Sequence, residues 1–346
     1  MIQRTATRIE ARPVDHTDHS WQRLLSESVT TPDALLRRLD LDPAAWLHGA
    51  DEGHRLFPIR VPEPYLNRIT KGDPDDPLLR QVLPLSSEAD TYPGFVSDPL
   101  QESDSMPATG LIRKYDSRAL LMVTGQCAIN CRYCFRRHFP YEDHRLSPED
   151  RAQALKALSD DTRINEVIFS GGDPLVANDR LLSAWAEALA DIPHIRRLRV
   201  HTRLPVVIPQ RVSDSLIKWL SGSRLQAVVV IHVNHPAELD NDTQQALGRL
   251  KAAGVTLLNQ SVILKGVNDD ASVLAELSER LFECGVLPYY LHAFDPVAGA
   301  HHFEVSDNKA RELVRQLITS LPGFLVPRLV REIPGRPGKT PLDLFA

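Results

Sequence analysis

ALLMVTGQCAINCRYCFRRHF, residues 119–139, joins a short apolar run to a loop that packs Cys127, Cys131 and Cys134 into eight positions and follows them with arginines. ALLMVT has the length and apolarity of a buried strand. A strand that runs straight into a chemistry-bearing loop suggests an α/β fold, where ligands gather at the C-terminal strand ends. The residues downstream repeat the pattern. INEVIFS, IRRLRVHT, LQAVVVIHV, VTLLNQSVIL and VLPYYLHAF read as further strands. SPEDRAQALKALSDD, NDRLLSAWAEALADI, VSDSLIKWLSGS, NDTQQALGRLKAAG and DASVLAELSERLFECG read as amphipathic helices between them, with Ser147, Asn178, Ser213 and Asn241 as capping residues and Gly254 as a stop. About six alternations of strand and helix imply a parallel sheet with covering helices, either doubly wound or a complete or partial barrel.

Upstream, TTPDALLRRLDL has Thr31 placed as an N-cap and Pro32 at the first helical position. Residues 71–108 are rich in Pro, Asp and Ser and read as an ordered wrap over another domain or as a linker. The 346-residue chain is 42% hydrophobic and carries a net charge of -5 with mixed signs. That balance argues against a nucleic-acid or anionic-membrane binder and for a small-molecule partner. The polar start MIQRTATRIEARPVDHTDHSW has no signal-peptide core, and no run reaches the ~20 apolar residues of a membrane span. The expected location is therefore cytoplasmic. In a reducing compartment, three clustered cysteines out of four point to a metal or redox site rather than disulfides.

Thiolate softness at this spacing favours iron–sulfur or zinc. Structural zinc wants four ligands, and Cys284 lies far along the chain at a helix end, where an inert thiol is expected. Three ligands on a four-iron cluster leave one iron open for a small molecule.

C-x3-C-x2-C followed by an aromatic, as CAINCRYCF, resembles the radical S-adenosylmethionine superfamily, and SGGDPL at 170–175 is similar to its glycine-rich segment beside the cofactor's amine. From about Phe57 to Lys339, the stretches FPIRVPEPYLNRI, GDPDDPLLRQ, TRLPVVIPQR, HVNHPAEL, NQSVILKGVND, PYYLHAFDPVAGAHHF and PGRPGK resemble lysine 2,3-aminomutases. The ending REIPGRPGKTPLDLF is most similar to the subgroup whose β-lysine is attached to elongation factor P.

The resemblance implies a partial (β/α)6-type barrel with an N-terminal helical extension. It divides the chain into a helical and wrapping region (1–108), a radical S-adenosylmethionine core (109–333) and a lysine-bearing C-terminal segment (334–346). It implies a [4Fe-4S] cluster on Cys127, Cys131 and Cys134, with Gly171, Gly172, Asp173, His232 and Gln260 around S-adenosylmethionine. It also implies pyridoxal 5'-phosphate on Lys339, with Tyr115 and Arg118 beside it. Arg136 is then the holder of the substrate carboxylate, and Asp295 with Glu332 the acids that receive the lysine side-chain ammonium. Glu332 stands where the family has aspartate, which keeps the charge and adds a methylene. Longer members carry a zinc-binding cysteine segment after this lysine, so zinc and their oligomer are not expected here.

The implied reaction converts L-lysine to β-lysine, the R isomer, with a reductase or flavodoxin-type electron donor and a separate elongation factor P β-lysyl ligase downstream. Two alternatives stand beside it: a radical aminomutase for another amino acid, and a non-catalytic iron–sulfur interaction protein.

Overall fold

The computed structural model describes residues 20–102, 105, 106, 108–141 and 146–345; the polar stretch 1–19 lies outside the described residues. Nine strands form one sheet in chain order: β1 (Leu111–Ile112), β2 (Arg118–Thr124), β3 (Glu166–Gly171), β4 (Arg197–Thr202), β5 (Gln226–Ile231), β6 (Thr256–Val262), β7 (Leu287–His292), β8 (Arg328–Arg331) and β9 (Thr340–Pro341). Neighbours from β2 to β8 are parallel, whereas β1 and β9 pair antiparallel at the two edges. A sequential order without reversal is the winding of a barrel, not of a doubly wound sheet. β2 and β8 do not pair, so the barrel is partial, and the short antiparallel strands cover edges that would otherwise stay open.

All six anticipated strands are present, and the five anticipated helices cross between them. The last crossover helix, Asp307–Ser320, and β8 extend the reading. The helix was legible in the spacing of Ala310, Leu313, Val314 and Leu317. β8 has four residues and β1 and β9 two each, too few to show a period. Thr31, Ser147, Asn178 and Ser213 cap as expected. Asn241 does not: Asp240 takes the cap, its Oδ1 accepting from Thr243 N at 2.8 Å, and Asn241 becomes the first helical residue. Both side chains suit a cap, and backbone direction decides, since Asp240 is extended.

The two faces of the strands separate by the period of two. Val167, Phe169, Val200, Val229 and Ile231 face the helices and are buried. Ile168, Ser170, His201, His232, Gln260 and His292 face inward and line a cavity. No helix among the described residues is long and apolar enough to cross a membrane.

The 71–102 stretch is an ordered wrap. Buried Asp76 caps the helix Pro77–Arg80, and Val96 bridges to Val297 in the segment after β7. Buried Glu88 from this wrap accepts from Arg132 Nε at 2.9 Å and Arg137 Nη2 at 2.6 Å, both on the cysteine loop. Arg137 also donates to Gly299 O at 2.8 Å, which makes it structural. Glu88→Ala leaves two buried guanidiniums without their carboxylate and is expected to destabilise the fold by roughly 3–5 kcal/mol, read as a lowered denaturant midpoint.

Candidate functional site

Every residue implicated from the sequence lines one cavity of about 250 Å³ at the C-terminal strand ends. The cysteine loop follows β2 and forms one wall. Its thiols are free and half-buried. Burial, with the neighbouring thiolates adding to it, pushes Cys134 up to about 11 and Cys127 well above the ordinary thiol value. Among the described residues no three His, Cys, Asp or Glu side chains converge as the ligands of a single ion do. Three soft thiolate donors on one loop suit a polynuclear centre, in which each iron takes one thiolate.

The end of β3 is stitched to this loop. Gly172 N donates to Thr124 O and Asp173 N to Gln126 O, both at 2.8 Å. Gly171 has φ +121, and a Cβ there would stand 2.3 Å from Thr124 O; one on Gly172 would stand 2.4 Å from Gln126 O. The two glycines are thus required first by the neighbouring backbone. The Asp173 carboxylate is likewise committed to the protein, accepting from Leu175 N, Thr202 Oγ1, Arg203 N and Leu204 N at 2.6–3.1 Å. Four donors fill its lone pairs, so its side chain anchors the turn after β4 and only its backbone remains to meet a ligand.

Arg136 marks the positive end of the cavity. Its Nε and Nη2 lie 2.6 and 2.9 Å from the two oxygens of Glu102, and its Nη1 reaches Ser170 Oγ at 3.0 Å and Gly171 O at 3.2 Å. Lys114 Nζ stands 3.2 Å from the same Glu102. Burial opposes ionisation of Glu102, but the two cations overcome it and hold its carboxyl at about 2. One carboxylate against two cations leaves a net positive charge for an anionic group.

Glu332 and Lys339 mark the opposite end. Lys339 Nζ donates to Glu332 Oε2 at 2.8 Å, and Tyr115 donates its hydroxyl to Oε1 at 2.6 Å. Burial raises the Glu332 pKa, yet Lys339 and these hydrogen bonds hold it below the ordinary value. Arg118 stacks on the Tyr115 ring at 3.8 Å. Asp295, on the loop after β7, is driven mainly by burial, with Glu332 adding and Lys339 opposing, to about 6.

Between the two ends the wall is polar and uncharged. Gln260 Nε2 and His232 Nε2 are 3.0 Å apart, and burial keeps His232, His201 and His292 neutral at pH 7. His201 Nε2 and His292 Nε2 are buried without a hydrogen-bond partner among the described residues, so this wall offers unused sites to a ligand rich in hydroxyls and ring nitrogens. The thiol loop, the polar wall and the primary amine of Lys339 therefore fit an iron–sulfur cluster, S-adenosylmethionine and a carbonyl-bearing cofactor.

Sequence reasoning missed Glu102, Lys114 and Arg203. Glu102 lies in a stretch whose composition said only wrap or linker. Arg203 sits in TRLPVVIPQR, directly after β4, where a loop at the catalytic end of the sheet was the available signal.

Residues 121–277 match the radical SAM superfamily model. The chain is 50% identical over 324 residues to the L-lysine 2,3-aminomutase of Escherichia coli (strain K12), covering 94% of each chain. It is 46% identical to that of Haemophilus influenzae, covering 95% of this chain and 97% of that one. It is 36% identical to that of Clostridium subterminale, covering 80% of this chain and 67% of that one. Identity at this level over nearly full length places the chain in the L-lysine 2,3-aminomutase family, on a radical SAM core.

Proposed function

We propose that this protein converts L-lysine to β-lysine by gripping both charged ends of the substrate within one cavity. The observation that carries the reading is the charge layout: a net cation around Arg136, a neutral polar wall, and two acids, Asp295 and Glu332, beside Lys339. Lysine presents a matching carboxylate and side-chain ammonium. A substrate with a side-chain carboxylate would meet like charge at the acidic end.

When bound, the cluster and S-adenosylmethionine supply the one-electron chemistry that removes a hydrogen atom, and pyridoxal 5'-phosphate supplies the carbonyl that carries the migrating amino group. Cys127, Cys131 and Cys134 hold the cluster, and Lys339 anchors the pyridoxal, with Tyr115 and Arg118 beside it. Gly171, Gly172, His232 and Gln260 border the S-adenosylmethionine, and Asp173 fixes the turn next to it. Arg136 offers the outer edge of its guanidinium to the substrate carboxylate, because its inner edge is held by Glu102. Once Lys339 is committed to the cofactor, Glu332 loses its cationic partner, keeps the Tyr115 hydroxyl, and joins Asp295 in receiving the substrate ammonium. Holding both ends fixes the carbon skeleton against the reacting groups, and the enclosed cavity keeps water away.

The finer assignment, formation of the R isomer for a ligase that modifies elongation factor P, rests on the likeness of the chain's ending to that subgroup and on near full-length similarity to the shorter relatives. A reductase or flavodoxin-type protein supplies the electron, and the cytoplasm is the compartment that suits it.

Anaerobic product analysis tests the reaction. Reconstituted protein with L-lysine, S-adenosylmethionine, pyridoxal 5'-phosphate and dithionite should yield β-lysine, lost in Lys339→Ala and Cys131→Ala. Turnover of ornithine but not lysine would sink the lysine reading.

The Asp295 carboxyl titrates at about 6, and only its ionised form attracts an ammonium. KM for lysine should therefore rise as pH falls through about 6, and Asp295→Asn should remove that inflection. Without substrate the sign reverses. The folded pKa lies above the unfolded one, so this group's contribution to stability is greatest below about pH 4 and is lost as pH rises through about 6. Thermal melts at pH 8 should show Asp295→Asn more stable by about 1–3 kcal/mol.

A further inference from the structure

We propose that Arg203 is a positioning residue for Cys131, a buried cationic N–H donor that sets how readily the cluster accepts its electron. The proposal rests on the cluster reading above and assigns a role to a residue outside the three cysteines. Arg203 is 6% exposed and follows β4 directly. Its Nη1 lies 2.8 Å from Cys131 Sγ. Its Nη2 lies 2.7 Å from both Gln81 Oε1 and Glu238 Oε2, and its backbone N donates to Asp173 Oδ2 at 2.8 Å. The guanidinium is thus held by the wrap and by the segment after β5, with one arm left for sulfur, while the turn after β3 fixes the arginine's backbone. Its carbon also lies 5.3 Å from the Tyr65 ring centroid and 5.8 Å from that of Tyr133, so aromatic faces exclude water from the pair.

Reduction adds one electron, taken from an external one-electron donor, to a cluster whose ligands are already anionic; no bond is broken. A fixed cation hydrogen-bonded to a ligand sulfur stabilises the added negative charge and raises the reduction potential. Glu238 is fully buried and lies across the guanidinium from Cys131. Its Oε1 is taken by Asn234 N, His235 N and Gln81 Nε2 at 2.9–3.2 Å. Its charge offsets part of the arginine's effect. The two residues therefore push the potential in opposite senses, which a merely structural role does not do.

The test is an anaerobic potentiometric titration of the reconstituted full chain, without S-adenosylmethionine or lysine. Dithionite serves as reductant, and electron paramagnetic resonance reads the reduced cluster. Iron content is measured first: a wild-type protein that takes up no cluster would overturn the cluster assignment itself, separately from the role of Arg203. With clusters loaded, Arg203→Gln should shift the midpoint below wild type, Arg203→Lys should lie between the two, and Glu238→Gln should shift it above. An Arg203→Gln midpoint equal to wild type at full iron content overturns the proposal. So does a shift of Arg203→Gln and Glu238→Gln in the same direction. If Arg203→Gln does not load, a Glu238→Gln midpoint at or below wild type overturns it.

Discussion

Burying an arginine requires a carboxylate, and the region around the cysteine loop buries three and half-buries a fourth, Arg136. Arg132 and Arg137 share Glu88, Arg136 is matched by Glu102, and Arg203 by Glu238. Each acid comes from outside the loop: Glu88 and Glu102 from the wrap, Glu238 from the segment after β5. The cysteine loop has no regular structure of its own, so its shape is imposed by these pairs and by the backbone bonds from Gly172 and Asp173. Loss of any pair leaves an unpaired buried charge, which ties the wrap, the loop and the strand ends into one dependent unit.

This dependence accounts for the wrap. A Pro- and Asp-rich stretch buries little by itself, yet Gln81, Glu88 and Glu102 within it are nearly inaccessible, and each accepts from an arginine of the cysteine loop or of the turn after β4. The electrostatic layout of the site follows. Cations surround the sulfur and carboxylate end, neutral histidines form the middle, and acids stand beside Lys339 at the far end.

Much of the architecture was legible. The six strands, their crossover helices and most caps follow from period and capping chemistry, which act over a few residues. The three cysteines were legible as a motif and Lys339 only through the family resemblance, and the cavity gathers them with Arg136, Asp295 and Glu332. What was not legible had a common character. The pairing of Arg203 with Cys131 spans 72 residues and that of Tyr115 with Glu332 spans 217, separations over which sequence spacing carries no geometric information. Asp173 was read as a cofactor contact from its motif, whereas its carboxylate turned out to be saturated by the turn after β4.

The sequence by itself determined which side chains are available and which local elements form, because strand period, helix capping and the C-x3-C-x2-C spacing are properties of neighbouring residues. The tertiary structure decided which charges meet. A guanidinium becomes a neighbour of a thiol, an anchor of the wrap or a cavity-facing cation according to the buried acid that closes on it, and that acid is chosen by the packing of the wrap and the strand ends.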